Sequence, residues 1–431
     1  MSNLKPGPLT GVTVLDFTWV LAGPHAAKTL ADLGANVIKV EQYKAGANER
    51  WLPKRVTKNG VTQSSYTINV NRGKRSVCVN MKSPKGMEII HKLVKKSDVL
   101  IENFAPDVMG KLKLDYDQVK KIKPDIIYCS ISSFGHWGPY WDRPGYDMIA
   151  QGASGWSDQS KPPIIAPMSI GDTVAAIHAT TAINAALYHK KVTGQGQNID
   201  ISMMDCLFSL HENTLPWYLI STAAGLTGDE LNIPKIGGQH PGYAPYGLYE
   251  GKDGIMAIAC LTEPRWQPLV KLMGKEFEFL ATDPRAKDVS TRCSVDNAPY
   301  IHEQLSKWVM SLPSVAECEK MLDEAGVPCI RCRSLKELAD SDPQIKAREM
   351  MVEMYQPFLG PMRHYGSPLK LSETPSGPRG YAPFVGEHNV EVLTKEIGMA
   401  EADVKALYGE DVLYHAPEVE LLPEELKKNG K

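Results

Sequence analysis

The chain predicts an α/β protein: a large domain with a parallel sheet, joined to a smaller α+β domain. Three observations carry this. Short β-branched runs alternate with helical patterns through about the first 200 residues, which is how strands feed crossover helices over a parallel sheet. A stretch rich in Gly, Pro and polar residues, 225–242, interrupts that alternation. A strand-and-helix pattern then resumes near Cys329. The expected division is 1–224 for a large domain with a parallel sheet, 225–326 for a small domain, and 327–431 for the resumed strand-and-helix pattern with a C-terminal tail. A length of 431 residues suits two domains.

Taken in order, Val12–Asp16 reads as a strand, Pro24–Leu33 as a helix closed by Gly34, and Asn36–Val40 as a second strand. Val77–Val79 and Val99–Ile101 follow, separated by a helix that Ser83-Pro84 opens and that ends near Lys96. Asp125–Ile131 and Asn198–Ser202 read as further strands. The segment from Met203 to about Ala224 is rich in apolar residues and is expected to be one largely buried helix. In the small domain, Tyr246–Tyr249 and Ile255–Ile258 flank Gly251-Lys252-Asp253-Gly254, the pattern of a hairpin. Helices are expected at about 264–273, 299–312 and 315–325, then extended segments such as 351–354 and a charged tail over 418–431.

Composition narrows the function. Apolar residues make up 43% and charged residues 23%, with 48 basic and 50 acidic side chains. That near-balance gives no support to nucleic-acid or membrane-surface binding. No apolar run reaches the length of a membrane span, and Met1–Pro6 lacks the apolar core of a signal peptide, so a cytoplasmic location is expected. The eight cysteines are scattered, mostly in apolar stretches, and read as free thiols. Cys329-Ile330-Arg331-Cys332 has no second ligand pair and reads as a short strand, so no metal site is expected. The first strand-to-helix turn lacks G-x-G-x-x-G, which removes a nicotinamide dehydrogenase from consideration.

The most informative local feature is Gly171-Asp172. It stands where the loop Ala166–Ile170 turns into a helix running to about Lys191. Taken alone, Asp172 reads as a helix cap.

Five blocks change that reading. They are Leu9–Thr18 with Ala22-Gly23-Pro24 and Leu33–Glu41; Asn71–Ser76 with Met81–Gly86; Asp98–Pro106; Arg143–Asp147 with Ala150-Gln151-Gly152; and Gly171-Asp172 with Thr193–Gln197. Together the chain resembles the class III coenzyme A transferases, the family of formyl-CoA, carnitine-CoA and bile-acid CoA transferases, over roughly 8–415. The resemblance implies an intertwined homodimer, each subunit having a Rossmann-like domain built from both chain ends and a small middle domain. It implies acyl-CoA and carboxylic acids as substrates, with no tightly bound cofactor. It also implies that Asp172 is a covalent nucleophile, passing through aspartyl anhydride and aspartyl-CoA thioester intermediates. Asp suits the task because a carboxylate of ordinary pKa is ionised at neutral pH.

The same resemblance sorts further residues. Thr18, Trp19, Val20 and Ala22 occupy the first strand-to-helix turn, and Asn103-Phe104-Ala105 follow a strand at the edge where α/β sheets bind nucleotides, so both segments are expected to line the CoA site. Trp19 and Leu21 replace the His and Gln of formyl-CoA transferases and point to a larger or more apolar acyl group, although Trp19 also fits a core position. Lys74, Arg75 and Lys111 read either as phosphate ligands or as solvated surface charges. Gly237-Gly238-Gln239 matches a mobile glycine loop that bares backbone N–H groups to an oxyanion, or else a plain linker, and His240 beside it is a possible substrate contact. Tyr146 stands where the related α-methylacyl-CoA racemases carry a His, and tyrosine is a poor proton acceptor at neutral pH. Two alternatives stay open: a racemase or isomerase on the same fold, and a CoA-binding subunit of a hetero-oligomeric transferase.

Overall fold

The computed structural model describes residues 5–228, 238–240, 242–424 and 426. The strands in chain order are β1 Thr13–Asp16, β2 Asn36–Glu41, β3 Arg55–Lys58, β4 Val61–Ser64, β5 Arg75–Cys78, β6 Val99–Glu102, β7 Ile127–Ser132, β8 Asn198–Ser202, β9 Tyr246–Gly251, β10 Gly254–Ala259, β11 Cys329–Arg331, β12 Met351–Gln356 and β13 Gly360–Tyr365. The chain divides into two compact units. One comprises 1–154, 166–208 and 343–431; the other comprises 155–165 and 209–342. The middle unit therefore starts before 225 and ends after 326, because the Thr214–Ala223 helix and the β11 neighbourhood pack within it.

The first unit is built on a six-stranded sheet in the order β5-β2-β1-β6-β7-β8, with every pairing parallel. Strands covered on both faces are largely apolar, and Val14-Leu15, Val37-Ile38, Val77 and Val99-Leu100-Ile101 are all buried. Ile89, Ile90, Leu93 and Val94, the apolar stripe of the Pro84–Lys96 helix, join the same core, as do Val392, Leu393, Val404 and Leu407 from near the C-terminus. The chain winds outward from β1 to β5, returns to β6 beside β1, and then winds the other way. The crevice between the ends of β1 and β6 is thus the topological switch point, where such sheets take their ligands.

The middle unit carries the antiparallel sheet β11-β10-β9. One face of this sheet presents Tyr249, Met256 and Ile258 to Trp266, Leu269, Leu305 and Trp308 of flanking helices. The β9–β10 hairpin and the three helices after it fall where the residue pattern puts them. The segment 203–224 does not behave as expected. It forms two helices, Met203–Phe208 and Thr214–Ala223, and in the second only Ser221 is buried. Ser209–Asn213 interrupts the helix where the chain passes from one unit to the other, so the apolar run is not a single core helix.

Candidate active site

Asp172 is the third residue of the Ile170–Thr193 helix and is half-buried. The backbone N–H of Ala22, the first residue of the Ala22–Asp32 helix, faces its carboxylate and favours the charged form. It therefore sits at two helix N-termini, its own and that of the neighbour, both of which favour negative charge. The cap of its own helix is a different acid. Asp147 Oδ1 accepts the N–H of Gly171 at 2.6 Å and that of Asp172 at 3.3 Å, while Gln151 Nε2 donates to Asp147 Oδ2 at 2.7 Å. Gln151 Oε1 in turn accepts the Ala166 N–H at 2.8 Å, tying down the loop that leads to the helix. Glycine at 171 suits this close packing: a Cβ there would lie 3.0 Å from Asp147 Oδ1 and 3.2 Å from Leu207. With the capping done by Asp147, the Asp172 side chain is left for other work.

Burial pushes the Asp172 carboxyl up to about 7, the Asp147 charge adds to the rise, and the Ala22 N–H opposes it. This corrects the expectation of an ordinary carboxylate fully ionised at neutral pH. Tyr66, which residue reading missed, sits in the same site. Its hydroxyl faces Ser169, the residue at the head of the Asp172 helix, and burial followed by the Asp172 charge pushes it up to about 12.

The two segments at the switch point are bound to each other. Trp19 N–H donates to Asn103 Oδ1 at 2.8 Å, Asn103 Nδ2 donates to the Trp19 carbonyl at 3.0 Å, and Trp19 Nε1 donates to the Asn103 carbonyl at 3.2 Å. The Trp19 and Phe104 rings meet edge to face at 5.1 Å. Phe104 N–H is held at 2.8 Å by Glu102, a buried carboxyl at the end of β6 that burial pushes up and that also bonds Ser130. Ala105 and Lys111 are exposed beyond this segment. Gly23 is obligatory here, since a Cβ would meet the Thr18 side chain at 2.3 Å. Between Trp19 and Ala22 the chain turns at Val20, whose φ is 64°. For a β-branched residue that conformation costs about 1–3 kcal/mol and must be held by its surroundings.

Not every expected ligand is available. Lys74 is wholly buried and donates to Asp16 Oδ2 at 2.7 Å and to the Pro24 carbonyl at 3.1 Å, so it does not reach a phosphate. Arg75 begins β5, on the sheet edge opposite Asn103, and is engaged by Asn36, Glu391 and Glu396. Neither lysine nor arginine is a solvated surface charge either; both are structural cations. Thr18 is also buried, its hydroxyl on Asp16. Leu21 is buried and Trp19 lies on Asn103 and Phe104. Tyr146 is 73% exposed at the head of the Asp147–Ala153 helix. Gly238 and Gln239 belong to the middle unit, where Gln239 pairs with Gly247 and both line a cavity of about 640 Å³ with Trp156, Ile164, Leu248 and Ile330. His240 also lines this cavity, its ring 4.5 Å from that of Tyr243, while Gly237 lies outside the described residues. Among the described residues, no helix is long and apolar enough to cross a membrane.

A twofold-wound parallel sheet with a free carboxyl at converging helix heads can be compared directly with known proteins. The family model of CoA-transferase family III matches residues 9–389. The chain belongs to this family. It is 34% identical over 404 residues to a succinate–glutarate CoA-transferase of Agrobacterium fabrum, covering 92% of this chain and 97% of that one. It is 32% identical over 424 residues to a formyl-CoA:oxalate CoA-transferase of Streptomyces avermitilis, covering 94% and 99%. Among solved structures, a CAIB/BAIF family protein from Brucella suis superposes with a TM-score of 0.77 at 31% identity, over 91% of this chain and all of that one. The protein is an enzyme, a CoA-transferase.

Proposed function

We propose that this family III CoA-transferase exchanges CoA between two carboxylic acids through covalent intermediates on Asp172. An Asp172 oxygen attacks the donor thioester carbonyl; the C–O bond forms, the C–S bond breaks, and CoA leaves as thiolate. The thiolate attacks the Asp172 carbonyl of the mixed anhydride, giving aspartyl-CoA thioester and free donor acid. The acceptor carboxylate displaces CoA from that thioester, and the thiolate then takes the acceptor acyl group, regenerating Asp172. No proton is gained or lost and no other co-reactant is needed.

The observation that carries this reading is the placement of Asp172: a carboxyl relieved of capping by Asp147 and faced by the Ala22 N–H. That N–H, at a helix N-terminus, is suited to stabilise the charge that develops on oxygen in each tetrahedral step. The CoA site in this reading is lined by Trp19, Val20, Ala22, Asn103, Phe104, Ala105, Lys111 and Tyr146. Exposed apolar residues on the Thr214–Ala223 helix, including Trp217 at 48% and Ile220 at 68%, support an interlocked homodimer that covers them. Eight free thiols fit a cytoplasmic setting.

The test uses succinyl-CoA as donor with glutarate, mesaconate and oxalate as acceptors, the acids in the relatives' names. Hydroxylamine or borohydride trapping and mass spectrometry are expected to find an adduct on the Asp172 peptide, absent from Asp172→Ala. An adduct elsewhere, or full turnover by that variant, overturns the reading. A carboxyl near pKa 7 also favours a second reading, proton transfer at the α-carbon. That reading requires solvent deuterium at the α-carbon of bound acyl-CoA without acylation of Asp172.

A further inference from the structure

Acyl transfer as described gives no task to the buried ion pair of Lys39 and Glu49. Lys39, in β2, and Glu49 are both wholly buried with their charges 3.0 Å apart. Each also reaches the first strand-to-helix turn. Lys39 Nζ donates to the Thr18 carbonyl at 2.8 Å, and Glu49 Oε2 accepts the Val20 N–H at 3.0 Å. The other Glu49 oxygen is fixed by Asn71 Nδ2 at 2.9 Å. Val20 is the residue with a φ of 64°, and two residues on stands Ala22, whose N–H meets Asp172.

We propose that Glu49 is a positioning residue for acyl transfer: by accepting the Val20 N–H it holds Val20 at positive φ, and that turn aims the Ala22 N–H at the Asp172 carboxylate. A side chain branched at Cβ avoids this conformation unless something external fixes it. The fixing group here is a carboxylate with no freedom of its own, locked by Lys39 and Asn71. Burial presses the Lys39 ammonium down, but Glu49, with Asp16 and Glu41, carries it above its ordinary value, so Lys39 keeps its charge beside Glu49. On the far side the turn is held by Asn103, through the bonds to Trp19. Glu49 and Asn103 thus clamp the residues on either side of one peptide, and the helix head follows from it.

A pair that served stability alone would affect folding and leave the chemical step untouched. The inference rests on Asp172 being the acylated group, so the experiment separates the two. Lys39→Met/Glu49→Met removes the clamp without leaving a lone buried charge. It is made in the natural background and again in the Val20→Gly background, since glycine takes positive φ without help. In the natural background kcat is expected to fall about tenfold to a hundredfold, with KM for acyl-CoA nearly unchanged. In the Val20→Gly background the same pair of substitutions is expected to cost no more than about threefold. An unchanged kcat in the natural background, or an equal loss in both, overturns the proposal. Glu49→Asp is the second probe, keeping the charge beside Lys39 while shortening the reach to Val20. It is expected to lower kcat in the same background-dependent way, and a wild-type kcat overturns the proposal. The adduct on Asp172 is measured in the unsubstituted protein. Its absence overturns acylation; its presence with background-independent rates overturns only the role of Glu49.

Discussion

Asp16 and Asp172 are the same residue type, both beside the Ala22–Asp32 helix, and they are put to opposite uses. Burial raises Asp16, but Lys74 and Lys39, with hydrogen bonds from Lys74 and Thr18, more than reverse it and leave the carboxyl below its ordinary value. Among the described residues no cation offsets the charge of Asp172; burial and Asp147 lift it to about 7. A carboxylate bonded to one lysine and near the charge of a second is a strut. One held by a single N–H and a like charge keeps a lone pair for chemistry. Neighbours, more than the acid itself, decide which is which.

The comparison breaks first at the strut. Lys74→Met leaves the Asp16 charge buried with its closest partner gone, and losing one member of a buried pair costs about 3–5 kcal/mol. Urea unfolding is expected to show that loss. A change within about 0.5 kcal/mol would mean that Asp16 is not held as described and that the contrast is false.

A smaller effect of opposite sign is expected at Asp172. Its folded pKa lies above the ordinary carboxyl value, so the folded state binds the proton more tightly and ionisation works against folding. The cost is absent below about pH 4, where folded and unfolded chains are both protonated, and complete above about pH 7. Asp172→Asn, which cannot ionise, is therefore expected to be more stable than the natural protein by about 1–3 kcal/mol at pH 8, allowing for the part that water reaches. The gain should vanish near pH 4. Equal stability at both pH values would place Asp172 with ordinary surface acids.

The contrast marks what residue patterns can and cannot reveal. β2 was legible because a parallel strand covered on both faces is a short β-branched run with few alternatives. The head of the Asp172 helix was legible from Gly171-Asp172 after a loop. Lys74 was misread because its partner, Asp16, lies 58 positions away, and a basic pair looks the same whether it meets a phosphate or a buried carboxylate. Asp147 as the cap of a helix 24 positions on, and the positive φ of Val20, are tertiary facts with no local signature. Tyr66 did carry one. Ser64 caps the Ser65–Asn71 helix through the Tyr66 and Thr67 N–H groups, and Ser-Ser before an apolar run is a helix start. That helix is only 7 residues long, too short for a periodic stripe to draw attention to it.

The smallest and most diagnostic change is Asp147→Asn, which removes the like charge and keeps an oxygen for the Gly171 N–H. If Asp172 must be ionised to attack, kcat/KM rises with pH as its proton leaves, giving an acidic limb near 7. Without the Asp147 charge the limb is expected to move to lower pH. It should stay above the ordinary carboxyl range, because burial is the larger cause of the rise. The new amide has a cost of its own. Its Nδ2 faces Gln151 Nε2, donor against donor, so Gln151 must turn, and the Ala166 N–H then loses its acceptor. One lost hydrogen bond of this kind is worth about 1 kcal/mol, which should appear as a slightly lower melting temperature and a few-fold lower kcat at the optimum. The pH profile separates the two effects: loosening of the loop scales the whole curve down, whereas loss of the charge slides its acidic side. A limb that stays in place would mean that burial alone sets the nucleophile, and that Asp147 acts only as the cap that frees it.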